Sequence, residues 1–329
     1  MLRAEPFSFD CQESQIMSNL VNERELASSL DCPVVDGKRQ VQHVTPHSAE
    51  VGGIPVNRAL PRRQRRLIGA WCFLDHIGPA DFAAEDPGLR VGPHPHIGLQ
   101  TFTWMIEGEI LHRDSLGTAQ VIRPGQVNLM TAGRGISHTE ESLSGEATLH
   151  AAQLWIALPE ADRRTDPRFD HYPNLPRWQE EGTELTLLVG EFAGHSAPTL
   201  TFSPLVALDL ASPRGGQLRL PLRGDFEYGL LPLEGDLEIE GETFATHELA
   251  YLGRGRDEVT VTLPAAGRVL LVGGEPLGEE ILIWWNFVGH SKAEISEAQR
   301  DWEAESPRFG SIPEFDGPRL TAPPLPWKA

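Results

Sequence analysis

The chain has 329 residues, 40% of them hydrophobic, with 47 acidic against 28 basic side chains and a formal charge of −19. That length suits two domains of about 150 residues each, and the hydrophobic share is enough for a sizeable core. An acidic surface repels phosphate backbones and anionic lipid, which argues against non-specific nucleic-acid binding, and no apolar run reaches the length of a membrane-spanning helix.

In chain order, residues 1–38 are polar and weakly periodic and read as a flexible N-terminal extension, with Met17 as an alternative start. They lack a charged stretch followed by an apolar one. Cys11, Cys32 and Cys72 are odd in number and widely spaced, with no CxxC pair. Neither a disulfide framework nor a thiolate zinc site is expected, and a cytoplasmic location fits. The basic stretch Pro61–Arg66 reads as a solvated strand edge engaged in ion pairs.

From residue 40 onward, short strands alternate with turns. Val51 to Ala59 and Leu67 to Leu74 are rich in β-branched and aromatic residues. Thr101 to Ile106 alternates polar and apolar, Met105 excepted, as a half-buried strand does. Glu107-Gly108-Glu109 reads as a hairpin turn, Pro124-Gly125 as another, and Ala151 to Leu158 closes the first half. Residues 161–182, rich in Pro, Arg and Asp, are expected to be a surface linker. Strands then resume at Leu185–Val189, Thr199–Phe202, Gln217–Leu222, Phe226–Leu231, Asp236–Ile239, Leu249–Leu252, Val259–Leu263 and Arg268–Val272. Leu233-Glu234-Gly235-Asp236 echoes Ile106-Glu107-Gly108-Glu109, which suggests a duplicated unit. Strands at this spacing point to an all-β fold of sandwich or barrel type. A capping-box pattern at Ser291–Glu294, with Ile295, Ala298 and Trp302 on one face, predicts a helix over 291–304, ended by a Pro-rich tail.

Two motifs carry chemistry. His94 and His96 are two residues apart, so on a strand they share a face, roughly 6–7 Å apart along the chain. His138 and Glu140 repeat the spacing, and two strands facing each other across a barrel would bring both pairs to one point. Three imidazoles and a carboxylate suit Fe(II), Mn(II), Ni(II), Cu(II) or Zn(II) over Ca or Mg, and leave a position open on an octahedral ion. His112 and Asp114 form a third such pair, but Asp114 before Ser and Gly is expected to shape a turn. His76, with Asp75 as partner to a ligand imidazole, is a candidate support of the site. His150, His171, His195, His247 and His290 stand alone and are expected to be structural.

The segments RALPRRQRRLIGAWCFLDHIGP, GPHPHIGLQTFTWMIEGEILHRDSLG, RPGQVNLMTAGRGISHTEES and LWIALP, with GGEPLGEEILIWWNFVG further on, resemble the pirin family of the cupin superfamily. The resemblance covers most of the chain after residue 40. It implies a bicupin of two antiparallel jelly-roll β-barrels with a short C-terminal helix. The metal-binding barrel would span 39–160, the linker 161–182, a barrel without metal 183–290, and the helix and tail 291–329. In the second barrel Asp225-Phe226-Glu227-Tyr228 stands where a metal-binding cupin has its histidine pair. The resemblance also implies one divalent ion per chain, Fe(II) first, on His94, His96, His138 and Glu140.

Pirin-like proteins are associated with quercetin 2,3-dioxygenase activity, which implies a small aromatic substrate and O2, with Glu140 as the catalytic base. Phe102, Trp104 and Met105 are then candidates for holding planar rings. Gln100 stands where many relatives have Glu, so proton transfer falls to Glu140. Other pirins act through protein partners, and a non-enzymatic, metal-binding regulatory role is the alternative expectation.

Overall fold

The computed structural model describes residues 32, 34–35, 38–83, 88–143, 145, 147–312 and 314–327. The expectations for Cys11, Met17 and the N-terminal extension over residues 1–31 lie outside these.

The first half is built on a seven-stranded antiparallel sheet. Its spatial order is Arg168–Tyr172, Val127–Thr131, Leu99–Glu107, Thr148–Ala157, Trp71–Asp81, Ile54–Leu60 and His47–Val51. A four-stranded sheet lies against it, in the order Ala119–Ile122, Ile110–Asp114, Ile136–Ser142 and Arg90–His96. Ile54, Val56, Ile77 and Met105 of the larger sheet pack on Val91, Ile110 and Ile122 of the smaller. The second half repeats the arrangement. Seven strands run from Arg177–Glu180 through Thr183–Val189, Leu205–Ser212, Gly267–Gly274, Glu227–Glu234 and Leu249–Gly253 to Gln42–Val44. Four more, Gly216–Pro221, Glu258–Leu263, Leu237–Ile239 and Glu242–Phe244, cover one face of it. Each half is thus a two-sheet jelly-roll sandwich; the sheets are not closed barrels.

The two seven-stranded sheets meet back to back. Trp71, Leu74, Phe102, Trp104, Leu129 and Leu154 from the first half share one cluster with Leu188, Leu205, Leu231, Leu249, Tyr251 and Leu270 from the second. Both faces of each large sheet are therefore buried, and alternate residues on a strand enter different cores. Phe102 and Trp104 enter the core between the halves, whereas Met105 faces the smaller sheet.

Several expectations are corrected by the strand pairing. Glu107-Gly108-Glu109 is not a hairpin, because Leu99–Glu107 and Ile110–Asp114 belong to different sheets. The turn carries the chain from the large sheet to the small one. Gly108 has φ +82°, and a Cβ there would lie 2.3 Å from the Thr148 carbonyl oxygen. Gly235, with φ +71°, makes the equivalent sheet change in the second half, so the sequence echo marks a structural repeat. Residues 161–182 are not a plain surface linker. Arg168–Tyr172 pairs with Val127–Thr131, and Arg177–Glu180 pairs with Thr183–Val189, giving each large sheet an edge strand. Thr199–Phe202 forms no strand: its backbone is held by side chains, with Leu200 N donating to the Tyr172 hydroxyl at 3.1 Å. Leu205–Ser212 takes the place in the sheet instead.

The two halves also exchange segments. Gln42–Val44 precedes the whole first half yet pairs with Leu249–Gly253 of the second. In return, the end of the chain docks on the first half. The helix Lys292–Glu303 starts at Ser291, whose hydroxyl caps Glu294 N, and buries Ile295, Ala298 and Trp302 as expected. Trp302, Phe287 and Phe309 form a cluster with Ile97, joined by Leu320, Leu325 and Trp327 of the tail. Leu320 N donates to Pro93 O at 2.9 Å, and the Ser137 hydroxyl donates to Phe309 O at 2.8 Å. The C-terminal segment thus braces the strands Arg90–His96 and Ile136–Ser142.

Candidate metal centre

His94 and His138 sit directly opposite each other on neighbouring antiparallel strands of the four-stranded sheet, with a bulge between His138 and Glu140. The two motifs therefore meet side by side in one sheet; they do not face each other across a barrel. The ligand-capable atoms of His94, His96 and His138 lie within 4.8 Å of one another, and all three residues are buried.

Hydrogen bonds fix which nitrogen each ring offers. His94 Nδ1 lies 2.8 Å from Gly92 O, and His96 Nδ1 lies 2.9 Å from Asn286 O. A carbonyl oxygen only accepts, so both Nδ1 atoms carry the proton and both Nε2 atoms present a lone pair. His96 Nε2 and His138 Nε2 are 3.1 Å apart. That separation suits two ligands at about 2.1 Å from a shared ion. Burial lowers all three histidines, His94 to about 4 and His96 and His138 well below their ordinary value. They are neutral at pH 7, the form a metal needs. Glu140 groups with His112 and His138 within the same 4.8 Å limit. Burial pushes its carboxyl up to about 7, against a hydrogen bond from Thr103. The donors fit a borderline divalent ion: imidazole nitrogens, one carboxylate and a buried setting.

His112 and Asp114 occupy the next strand, paired with Glu140 and His138 respectively. Asp114 shapes the turn as expected, its Oδ1 accepting from Leu116 N at 2.9 Å and Thr118 N at 3.1 Å. Its Oδ2 also accepts from His112 Nε2 at 3.2 Å, and His112 Nδ1 lies 3.3 Å from His138 Nδ1. Burial raises the Asp114 carboxyl, but the His112 and Thr118 hydrogen bonds outweigh it and hold the group below its usual range.

The large sheet supplies the opposing wall. Trp155 stands edge-on to His96 with ring centroids 5.2 Å apart, and Phe169 stacks on His112 at 4.5 Å. The Thr103 hydroxyl is within reach of both Glu140 and Gln153 Oε1, the latter at 2.7 Å.

Other residues singled out from the sequence lie elsewhere. Phe102 and Trp104 belong to the core between the halves. Gln100 Nε2 donates to Thr131 Oγ1 and to Leu200 O of the second half. Asp75 accepts both bonds of a bidentate pair with Arg58, each 2.7 Å, and does not meet a ligand imidazole. His76 lies on the other face of the same strand. Its Nε2 is 2.7 Å from His150 Nε2 and its Nδ1 is 3.0 Å from His247 Nδ1. His150 and His247, expected to stand alone, thus form with His76 a row of three imidazoles bridging the two halves. His171 meets Asn128 on the neighbouring strand, and His195 stacks on Trp178. Asn286, Thr103, Trp155 and Phe169 were not singled out from the sequence. The strand phase of Thr103 and Trp155, opposite to Phe102 and Leu154, was the available signal.

Comparison with known proteins agrees with this architecture. Residues 53–156 match the pirin family model, and residues 207–310 match that of the pirin C-terminal cupin domain. A Pseudomonas aeruginosa protein provisionally named quercetin 2,3-dioxygenase is 61% identical over 313 residues, 95% of this chain and 99% of its own length. The chain belongs to the pirin family. A pirin-like protein of Caulobacter vibrioides is 38% identical, covering 78% of this pirin and 90% of its own length. A crystal structure of quercetin 2,3-dioxygenase from Acinetobacter baumannii superimposes with a TM-score of 0.86 at 50% identity, covering 88% of this pirin and 97% of that chain. No helix among the described residues of this pirin is long and apolar enough to cross a membrane.

Proposed function

We propose that this pirin is a mononuclear metal-dependent dioxygenase that opens a flavonol-type ring with O2, its ion held by His94, His96, His138 and Glu140. The observation that carries the reading is the 3.1 Å approach of two imidazole nitrogens, His96 Nε2 and His138 Nε2, beside His94 and within a step of a carboxylate. The relatives named as quercetin dioxygenases support the substrate class. Fe(II) is the first assignment; Zn, Ni, Mn and Cu suit the same donors.

When bound, the ion supplies a Lewis acid for the substrate hydroxyl and a redox centre for O2. Glu140 takes the hydroxyl proton. Glu140 is the carboxylate that groups with the histidines of the site, and its burial favours the protonated form. Thr103 orients the carboxylate, and Trp155 and Phe169 offer flat apolar surfaces to an aromatic ring. The strongly acidic surface disfavours nucleic acid and anionic membrane as partners. Cys72 is a buried free thiol, in keeping with a cytoplasmic setting.

The test is quercetin absorbance loss with O2 uptake and carbon monoxide release, in metal-loaded wild type, apo protein and Glu140→Gln. Turnover should need both the metal and the carboxylate. Equal bleaching by apo and loaded protein overturns the reading and favours a regulatory role through protein partners.

A further inference from the structure

We infer that His112 and Asp114 form a positioning relay that holds His138 in the tautomer able to bind metal. The inference rests on the ligand set proposed above. It goes beyond it by giving two further residues a defined task.

Hydrogen-bond direction sets the tautomer of each ring in turn. The Asp114 carboxylate accepts from Leu116 N and Thr118 N at Oδ1 and from His112 Nε2 at Oδ2, with the Thr118 side chain adding a further bond. A carboxylate has no proton to give, so His112 Nε2 donates, and in the relay that hydrogen is the only one on the ring. His112 Nδ1 is then a lone pair. Facing it at 3.3 Å, His138 Nδ1 must donate. The remaining nitrogen, His138 Nε2, is left with its lone pair directed to the point where His96 Nε2 lies 3.1 Å away. His94 and His96 reach the same state by donating Nδ1–H to backbone carbonyls. Among the described residues no backbone carbonyl meets the His138 ring, and the relay takes over that task. Stacking of His112 on Phe169, with an interplanar angle of 24°, fixes the plane of the relaying ring.

The backbone turn makes the relay testable by a near-isosteric change. In Asp114→Asn the amide oxygen stays with the Leu116 and Thr118 N–H groups, because the amide NH2 cannot accept from them. The NH2 then points at His112 Nε2 and makes that atom an acceptor. His112 shifts its hydrogen to Nδ1, and His138 must answer with its own hydrogen on Nε2, where it blocks the metal. The turn survives while the tautomer is reversed.

The experiment uses zinc as a diamagnetic probe and the full chain. Zinc affinity is measured by chelator competition for wild type, Asp114→Asn, His112→Phe and His112→Asn. Nitrogen-15 spectra of the histidine side chains are recorded with and without zinc. Expected is a loss of about 10–100-fold in affinity for Asp114→Asn and His112→Phe, the usual effect of removing a ligand's outer partner. His112→Asn should recover most of it, since its amide oxygen can accept where Nδ1 did. The spectra should show His138 protonated at Nδ1 in wild-type apo protein and at Nε2 in Asp114→Asn. Unchanged affinity in both weakened variants, or an unchanged His138 tautomer in Asp114→Asn, overturns the relay. So does zinc bound directly to His112. Failure of zinc to perturb His94, His96 and His138 in wild type instead overturns the ligand set itself.

Discussion

His96 Nε2 and His138 Nε2 lie 3.1 Å apart, although 42 residues separate them in the chain. His96 cannot bridge that gap with a hydrogen, because its proton is committed to Asn286 O. In the proposed ligand set both lone pairs are directed to one cation. His96→Ala and His138→Ala should therefore lose stoichiometric metal while keeping the fold, since the hydrophobic cores do most of the stabilising. Metal analysis with far-UV circular dichroism decides it. A variant that keeps one ion per chain removes its residue from the ligand set.

Metal uptake should release a proton below neutrality. The Glu140 carboxyl is raised to about 7 in the metal-free protein, whereas the three histidines are lowered and already neutral. At pH 6 binding should displace about one proton per ion, and at pH 8 almost none. Affinity should fall by about tenfold per pH unit below 7. Calorimetry in buffers of different ionisation enthalpy measures the count, and an identical count at both pH values contradicts it.

Acid should destabilise the metal-free protein early. Burial depresses His76 to about 2 and His94 and His150 to about 4, with His96 and His138 also well down. A base lowered in the folded state takes up its proton on unfolding. Its contribution is complete above the unfolded value near 6.5 and is lost as pH falls below it. At pH 5 each such histidine costs about 2 kcal/mol. Glu140, Asp75 and Glu227, raised by burial in the folded state, oppose this. Denaturant midpoints should fall steeply between pH 6.5 and 5, and a flat profile over that range refutes the account.

Phe102 and Trp155 should separate stability from substrate binding. Phe102→Leu thins the core between the halves and should cost about 1–2 kcal/mol with kcat and KM for quercetin unchanged. Trp155→Leu removes the ring beside His96 and should raise KM. The opposite pattern would put the substrate on the other face of the large sheet.

The chemistry was legible because strand geometry is short-ranged. Two residues two apart share a face, so His94 with His96 and His138 with Glu140 could be paired on sight, and the helix could be read from its cap and one apolar stripe. The neighbours of the site were not legible for a physical reason. The strand Leu99–Glu107 is buried on both faces, and alternation then separates Phe102 from Thr103 without saying which of them meets the metal. Aromatic character favoured Phe102 and Trp104, yet the polar Thr103 faces Glu140. Asn286, which orients His96, lies 190 residues away in the chain. Only the docking of the C-terminal segment brings it there, and no local pattern encodes that contact. The histidine row at His76 was hidden in the same way, since it joins two strands of the first half to a turn of the second.

The crossing of Gln42–Val44 into the second half has a consequence for how the protein is made. This segment leaves the ribosome early, and its partner Leu249–Gly253 follows about 200 residues later. At roughly 5–20 residues per second, translation leaves the early strand without its sheet for about 10–40 seconds. The nascent first half must collapse with that strand hanging free at its rim. Cutting the gene between the halves would strand it permanently, so a separately expressed first half should begin after residue 44, and a separately expressed second half will need residues 42–44 supplied as a peptide to close its open sheet edge.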